Sequence, residues 1–279
     1  MKLFVMLMTL SAYPGAAVQV SLPAEPELAG VTLEWNKRST DMIQRDGRWY
    51  ALIGVDLDVK PGEHTVQAVY HYTGDHDGRR DITRNIALRV APKDYPTTKL
   101  EVAPKYVELS KENLDRSARD RKAINAAYAT ASPQAYWTEP FAVPIPGEED
   151  GRNFGHRRVF NDQPRAPHSG ADLTAATGTP ILATNRGKVI LTGDFFFNGK
   201  SVFVDHGMGV ISMYLHLSEI TVAEGQMLER GEQVGLAGAT GRVTGPHLHW
   251  GMKVTGARVD PFSLPGLNSP LEGENSDGG

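Results

Sequence analysis

The stretch Thr244-Gly-Pro-His-Leu-His-Trp-Gly251 places two histidines, His247 and His249, one residue apart behind a glycine-proline turn. In an extended segment the side chains of residues i and i+2 point to the same face, so a strand would direct both imidazoles toward one point. Glycine recurs before the pair, and no helical pattern follows it, which argues for sharp turns rather than a dinucleotide-binding loop. The pattern therefore predicts a β domain that carries paired histidines on one face of a sheet.

Two further clusters lie upstream of this strand. His168-Ser-Gly-Ala-Asp172 precedes the pair by about eighty residues, and His216 lies between the two. Zinc accepts His nitrogen and Asp oxygen, and catalytic zinc sites keep one position open. His168, Asp172 and one histidine of the pair would supply three ligands, which leaves the other histidine and His216 to act on protons or on a developing oxyanion. Zinc held there would polarise an amide carbonyl and lower the pKa of water toward about 7, so the cluster predicts metal-assisted amide hydrolysis.

Composition limits the class of protein. The chain has 279 residues, of which 40% are hydrophobic, and can therefore build one large domain or two smaller ones. A net charge of −4 and a pI near 6.1 lack the clustered basic charge expected of a nucleic-acid-binding protein. The absence of cysteine excludes thiolate metal sites, disulfides and a cysteine nucleophile.

Residues 1–17 are predicted to be a secretory signal peptide. Lys2 precedes an apolar run that ends at Ala12 and is too short to span a bilayer. Cleavage is expected after Ala12 or Ala17, and a buried first strand is the alternative interpretation. No later segment has the apolar character of a membrane span. The chain is therefore predicted to be exported to the periplasm or cell envelope.

Residues 18–103 are predicted to form an immunoglobulin-like β-sandwich. Runs of alternating or β-rich sequence recur between turns, at Val31–Trp35, Trp49–Val55, Thr65–Tyr72 and Ile82–Val90. The histidines of this region have no acid at ligand spacing, so we expect no second metal site there. They are His64, His71 and His76.

A helix and a proline-rich linker are predicted over residues 104–146. Ser110 has the residue type of an N-cap, and the charged, alanine-rich run from Lys111 to about Tyr128 has helical spacing, with most of its surface facing solvent. Prolines then interrupt any helix and indicate the linker. They are Pro133, Pro140, Pro144 and Pro146.

Residues 147–264 are predicted to be an antiparallel β domain, and residues 265–279 a disordered acidic tail. Two pairs of strands are expected in the domain, 179–184 with 187–191 around a tight turn and 201–205 with 209–216. His206 is interpreted as a turn residue, and His156 as a groove-wall or structural residue.

The order of motifs in this domain resembles the zinc peptidase family of lysostaphin and LytM. The resemblance covers residues 147 to 262 and rests on the flanking glycines as well as on the histidines and the aspartate. The motifs are Asn153-Phe-Gly-His-Arg, His168-Ser-Gly-Ala-Asp-Leu, Gly178-Thr-Pro-Ile-Leu-Ala, Val204-Asp-His-Gly, Tyr214-Leu-His-Leu, Gly225-Gln-Met-Leu-Glu-Arg-Gly-Glu and Thr244-Gly-Pro-His-Leu-His-Trp.

This resemblance implies residue roles, a fold and a substrate. It implies one zinc ion per chain, held by His168, Asp172 and His249. It also implies that His216 and His247 are catalytic, activating the water and stabilising the tetrahedral intermediate. The implied fold is an open groove of antiparallel sheets, and the implied activity is a zinc-dependent endopeptidase that cuts the peptide stems cross-linking bacterial peptidoglycan.

Two other classes of function compete with this one. A catalytically inert activator of another cell-wall hydrolase would tolerate His247→Ala, whereas an enzyme would not. A biotinyl or lipoyl carrier would place Lys253 on a tip between two β halves, but no second half follows it. The chain keeps all five site positions, which favours the enzyme. The N-terminal region is expected to position the groove or to cover part of it.

Overall fold

Alternating apolar residues build the N-terminal part of the chain from two β-sheets. In this computed structural model the described residues are 9–76, 79–101, 110–137, 139–148, 153–160, 162–164 and 166–264. Nine strands precede the helix: β1 (Thr9–Ala12), β2 (Ala17–Pro23), β3 (Leu28–Trp35), β4 (Arg38–Asp41), β5 (Ile43–Arg45), β6 (Arg48–Gly54), β7 (Gly62–His76), β8 (Arg79–Val90) and β9 (Thr97–Leu100).

The two N-terminal sheets share one apolar core. The first has the strand order β1-β8-β7-β3-β4 and the second the order β2-β6-β5. One residue in two along these strands is buried, which is the period expected when one face of a sheet is packed and the other solvated. The core includes the fully buried Val20, Leu33, Val66 and Leu88. This arrangement fits a sandwich, while the immunoglobulin-like assignment and the domain boundaries stay predictions.

Part of the predicted signal peptide belongs to this fold. β1 pairs in parallel with β8, from Thr9 opposite Ala87 to Ala12 opposite Val90. Leu10 is buried and the Gly15 N–H donates to Val55 O over 2.7 Å. Thr9–Ala12 thus form a buried first strand in this structure, cleavage after Ala12 or Ala17 would remove it, and the signal peptide stays a prediction. Residues 1–8 and the predicted tail at 265–279 lie outside the described residues.

A single α-helix, α1 (Lys111–Tyr128), lies among the described residues and has the bounds that the sequence predicts. Ser110 is its N-cap, since its hydroxyl accepts a hydrogen bond from Asn113 N over 3.3 Å. Most of the helix faces solvent, but Ile124 and Tyr128 pack against a sheet. Within the described residues, no helix combines the length and apolar character that a bilayer crossing requires.

The proline-rich segment after α1 is packed rather than free. Trp137 and Phe141 are 1% and 3% exposed. Tyr136 N donates to His206 O and Ala142 N donates to Thr184 O, both over 2.8 Å. The segment is therefore a layer of the following β domain, because its backbone groups and aromatic rings find their partners there.

The C-terminal β domain centres on one seven-stranded sheet. Its elements are β10 (Arg157–Phe160), β11 (Gln163–Pro164), β12 (Ala171–Thr174), β13 (Pro180–Leu182), β14 (Gly187–Phe195), β15 (Gly199–Gly207), β16 (Val210–Leu217), β17 (Glu219–Ile220), β18 (Met227–Leu228), β19 (Gln233–Leu236), β20 (His247–Val254), β21 (Ala257–Val259) and a 3₁₀ turn at Pro261–Ser263. The large sheet has the order β12-β20-β16-β15-β14-β18, with β21 also paired to β20. The small sheets are β11-β10-β9 and β13-β19-β17. The predicted mainly β fold is confirmed.

One of the two predicted strand pairs is wrong. β15 and β16 pair as expected, with Val204 opposite Ser212. β13 and β14 do not pair with each other, because β13 pairs with β19 and β14 with β15 and β18. The residues between them are buried and bonded to other elements: Thr184 N donates to Tyr214 Oη and Asn185 Nδ2 to Glu139 O. These contacts hold the segment in which the chain passes from the β13-β19-β17 sheet to the large sheet.

The interpretation of His206 as a turn residue is also wrong. His206 lies in β15 and is fully buried. Its Nδ1 contacts Arg186 O and its Nε2 contacts Ser212 Oγ, each over 2.8 Å. Both ring nitrogens are thus occupied in the core, which makes His206 a structural residue.

The N-terminal sheets dock on the hairpin formed by β20 and β21. A Cβ at Gly54, at the end of β6, would lie 2.6 Å from both Ala257 Cβ and Val254 O. The Gly54 N–H donates to Thr255 Oγ1 over 3.3 Å, and Asp260 N donates to Gly15 O over 2.6 Å. This close approach needs glycine and holds the N-terminal part directly against the strand that carries the paired histidines.

Candidate metal centre

Two antiparallel strands bring the predicted metal ligands together. β12 pairs with β20 so that Asp172 lies directly opposite His249, and His168 lies three residues before β12 begins. Along β20, His247 and His249 are partly exposed while Leu248 and Trp250 are fully buried. The i, i+2 rule therefore holds, and both imidazoles share the solvent-facing side of the sheet.

The three ligand atoms are in mutual contact. Asp172 Oδ1 lies 3.0 Å from His168 Nε2 and 2.8 Å from His249 Nδ1, and the two nitrogens are 3.0 Å apart. Tetrahedral zinc with bonds of about 2.0–2.1 Å would hold such atoms roughly 3.3 Å apart. Two imidazoles and a carboxylate at this spacing fit a divalent metal ion.

Backbone carbonyls determine which imidazole nitrogens face the centre. His168 Nδ1 donates to Asn153 O over 3.2 Å, His216 Nδ1 to Thr240 O over 3.0 Å and His247 Nδ1 to Gly245 O over 2.9 Å. A carbonyl only accepts, so in each neutral ring Nδ1 carries the hydrogen. The Nε2 lone pairs of all three histidines are left for a metal or a proton.

Asn153 is a positioning residue that the sequence reasoning did not single out. Its Nδ2 donates to Asp172 Oδ2 over 3.1 Å, and its Oδ1 accepts from the Asp172 backbone N–H over 3.0 Å. Together with its carbonyl bond to His168, it orients two of the three ligands. Asn153 opens the motif Asn153-Phe-Gly-His-Arg, fifteen residues before His168, but the motif alone does not reveal its contacts with the ligands.

His216 reaches the centre through an irregularity in β16. Its neighbour Leu215 lies opposite His249, so regular alternation would turn His216 to the other face. Instead, His216 has a φ of 65° next to a shift in the register between β15 and β16. Its ring centroid lies 5.0 Å from that of His247. The bulge thus brings His216 to the metal centre.

The protonation states match those of metal ligands. Burial tends to raise the pKa of Asp172, but the adjoining His168 and His249 imidazoles outweigh it and the net shift is downward. Burial lowers the pKa of His249, although its bond to Asp172 acts in the opposite direction. Burial and the neighbouring His249 lower the pKa of His216 to about 4. Near neutral pH the centre therefore holds an ionised carboxylate with neutral His216 and His249, as ligand binding requires.

The face beside the centre is covered by α1. Apolar residues of β14, β15 and β16 form one cluster, with Ile124 and Tyr128 of the helix packed against it. These strand residues are Phe195, Phe203, Met213 and Leu215. Because Leu215 lies opposite His249, the helix occupies the strip of sheet next to the metal ligands. His156, interpreted as a groove-wall or structural residue, is partly buried and its carbonyl accepts from His168 N over 2.9 Å.

The position of Lys253 does not suit a carrier. Lys253 lies inside β20, and its ammonium sits 3.8 Å from the centre of the Tyr128 ring. A modified carrier lysine needs a free tip, whereas this side chain is half-buried under α1. The carrier interpretation therefore lacks structural support.

A comparison with known protein families matches the part of the chain that contains the metal ligands. Residues 166–261 match the model of peptidase family M23. The peptidoglycan DD-endopeptidase ShyA of Vibrio cholerae is 43% identical over 109 residues, which cover 39% of this chain and 25% of that protein. The DD-carboxypeptidase/endopeptidase Mpg of Neisseria meningitidis is 40% identical over 97 residues, 35% of this chain and 22% of Mpg. The chain spans about a quarter of the length of these curated relatives.

The match to a solved structure can extend over nearly the whole chain. That structure is a crystal structure from Pseudomonas aeruginosa that carries the family name peptidase M23, and it is 34% identical to this chain. The match covers 91% of this chain and 95% of the other, with a TM-score of 0.68. A match of this extent reaches beyond residues 166–261 into the N-terminal part of the chain. The chain belongs to peptidase family M23.

Proposed function

We propose that this protein is a zinc-dependent endopeptidase that hydrolyses the peptide cross-links of bacterial peptidoglycan, in the periplasm or cell envelope. The observation that carries the proposal is the contact of His168 Nε2, Asp172 Oδ1 and His249 Nδ1, with His216 and His247 beside them. The name of ShyA, a peptidoglycan DD-endopeptidase, supports peptidoglycan as the substrate.

His168, Asp172 and His249 would hold the ion. Bound zinc supplies Lewis-acid polarisation of an amide carbonyl and lowers the pKa of water. The chain's own contribution begins with Asn153, which keeps His168 and Asp172 in place and fixes the His168 tautomer. The Asp172 and His247 side chains are each 22% exposed, so a peptide can reach the centre from solvent.

His247 is assigned as the general base. Its Nε2 lies 3.7 Å from Asp172 Oδ1, at the edge of the metal centre, while its Nδ1–H is held by Gly245 O. The Nε2 lone pair can take a proton from the attacking water and, once protonated, return it to the leaving amine. This residue is 22% exposed in its side chain and is therefore open to the substrate.

His216 is assigned to the developing oxyanion. When its ring takes a proton, Nδ1–H stays on Thr240 O and Nε2–H becomes free to donate. Burial lowers its pKa to about 4, so the ring is neutral at rest and would take its proton from solvent as negative charge develops beside it. The enzyme is favoured over an inert activator because both residues have their Nε2 atoms directed at the centre.

The test is release of soluble muropeptides from purified sacculi by the zinc-loaded chain. We expect loss of cross-linked dimers and matching new monomers, whose masses identify the bond cut. His249→Ala should bind no zinc and release nothing. His64→Ala, which loses a hydrogen bond to Lys60 O and an edge contact with Trp35 in the N-terminal sheets, should match wild type. Zinc binding without release, in wild type and His247→Ala alike, would favour the activator.

A further inference from the structure

A cleft separates the N-terminal sheets from the metal centre. It encloses about 720 Å³ and runs from the tip of the β3–β4 hairpin to Ser169, next to the metal ligand His168. Four cations line it, Lys37, Arg38, Arg157 and Arg258, against two acids, Asp56 and Asp58. The cleft is therefore basic although the whole chain has a net charge of −4.

Next to Arg258, positive charge is concentrated at a cost in stability. Lys253 of β20 lies directly opposite Arg258 of β21. Like charges at directly opposed positions of a sheet destabilise it. Burial lowers the pKa of Lys253, as do Arg258 and Arg38, and only Asp56 opposes them. A bound anion would relieve this repulsion, and no carboxylate of the described residues forms an ion pair with either Lys253 or Arg258.

Arg258 reaches toward the metal centre. A Cβ at Gly251 would lie 3.5 Å from Arg258 Nη1, so the guanidinium sits over Gly251. Gly251 is two residues after His249 on the same face of β20, which corresponds to about 7 Å along the strand. Arg258 donates only to uncharged acceptors, Tyr128 Oη over 2.8 Å and Met213 Sδ. It is half-buried, and its charge has no acidic partner among the described residues.

Two further cations lie at the rim. Lys37 occupies the left-handed turn of the β3–β4 hairpin, with a φ of 62°, and its side chain is exposed. Arg157 is exposed on the opposite wall. Neither forms an ion pair within the described ranges, whereas Arg38 is neutralised by Asp56. Unpaired positive charge thus lies at the mouth of the cleft as well as at Arg258.

We propose that this cleft binds a carboxylate of the peptide substrate beside the bond to be cut, with Arg258 as the specificity-determining residue. The proposal rests on the proposed peptidase function. A guanidinium fork matches the two oxygens of a carboxylate, and its half-buried position strengthens the interaction. The N-terminal sheets supply Lys37, which gives them a direct part in substrate selection.

The test compares two peptides, a cross-linked muropeptide dimer with free carboxylates and the same dimer fully amidated. With the full-length zinc-loaded chain, Arg258→Gln should raise KM for the carboxylate form about tenfold, the size expected for one charge-assisted contact. The KM for the amide and both kcat values should stay unchanged. The control Arg45→Gln, which loses only the exposed pair with Asp46, should behave as wild type.

One more variant keeps the test decisive. If Arg258→Gln does not fold, the exposed Lys37→Gln/Arg157→Gln double variant should raise KM for the carboxylate form alone, by about threefold. Equal losses for both peptides in either variant would overturn the proposal.

Binding of both dimers to the metal-free full-length chain, measured by calorimetry, separates this inference from the proposed function. Preferential binding of the carboxylate form without hydrolysis by the zinc-loaded chain supports the cleft and contradicts the peptidase. Hydrolysis of both forms at equal KM supports the peptidase and contradicts the cleft.

Discussion

Single carbonyl and amide groups orient the side chains of the metal centre. Asn153, Thr240 and Gly245 each accept a hydrogen bond from an imidazole Nδ1 through their backbone oxygens. This leaves the reactive Nε2 atoms directed inward, and the supporting partners matter almost as much as the ligands themselves. Asn153 contributes most to this orientation, because its side chain also forms two hydrogen bonds with Asp172.

Asn153→Ala should therefore weaken zinc binding about 10- to 100-fold without unfolding the chain. The variant keeps its backbone carbonyl on His168 but leaves Asp172 Oδ2 without its amide partner. Zinc affinity measured by competition with a chromophoric chelator checks this. Asn113→Ala in α1 is the matched control, and equal affinity in the two variants would show that Asn153 does not position the ligands.

At the scale of elements, one face of the large sheet holds both the metal residues and an apolar strip for the helix. β20 and β12 present the metal residues, while the neighbouring β14, β15 and β16 present an apolar strip that α1 covers. The helix is polar, so the chain holds it by few contacts, chiefly Tyr128, which packs on Phe203 and bonds to Arg258. This contact supports the proposal that the N-terminal region covers part of the groove.

Tyr128→Ala should detach the C-terminal end of α1. Loss of a largely buried aromatic ring should lower the free energy of unfolding by about 3 kcal/mol. Urea denaturation measures this, and binding of an apolar dye should rise because Phe203 and Met213 become exposed. Leu114→Ala, which removes a side chain that is 53% exposed, should change stability by less than about 0.5 kcal/mol. A similar effect of both variants would contradict the assigned role of Tyr128.

At the scale of the whole molecule, buried polar groups tie the β domain together. His206 links the Arg186 backbone to Ser212, whose hydroxyl donates to Tyr214 Oη, and Tyr214 in turn accepts from Thr184 N. This chain of bonds crosses the core between three strand regions. Burial lowers the pKa of His206 to about 4 from its ordinary 6.5.

His206 should make stability depend on pH. The folded state binds fewer protons than the unfolded state between about pH 4 and 6.5, so its stabilising contribution is complete above pH 6.5 and is lost as the pH falls toward 4. The shift corresponds to about 3 kcal/mol. Urea denaturation of the metal-free chain at several pH values should show this loss.

The comparison of His206→Gln with wild type isolates the contribution of His206 to the pH dependence of stability. The glutamine variant is expected to be less stable at pH 7 but to lose less stability between pH 6.5 and 4, because it has no group that protonates there. His64→Ala should keep the wild-type pH dependence. If the free energy of unfolding changed with pH in parallel for wild type and His206→Gln, the pH dependence would not come from His206.

Periodicity and residue chemistry by themselves determine much of this protein. The alternation around His247 and His249, the N-cap at Ser110 and the helix bounds follow from local rules, because strand and helix periods act over a few residues. The chemistry of one carboxylate and several imidazoles likewise predicts a metal-binding group, since these side chains are ligands wherever the fold lets them meet.

Only the tertiary structure decided the rest, because it depends on contacts between residues distant in sequence. The bulge that turns His216 inward, the burial of His206, the role of Asn153 and the separation of β13 from β14 arise where strands from different regions meet. The basic cleft arises in the same way, since Lys37 and Arg258 are 221 positions apart in the sequence and come together only when the N-terminal sheets dock on β20 and β21.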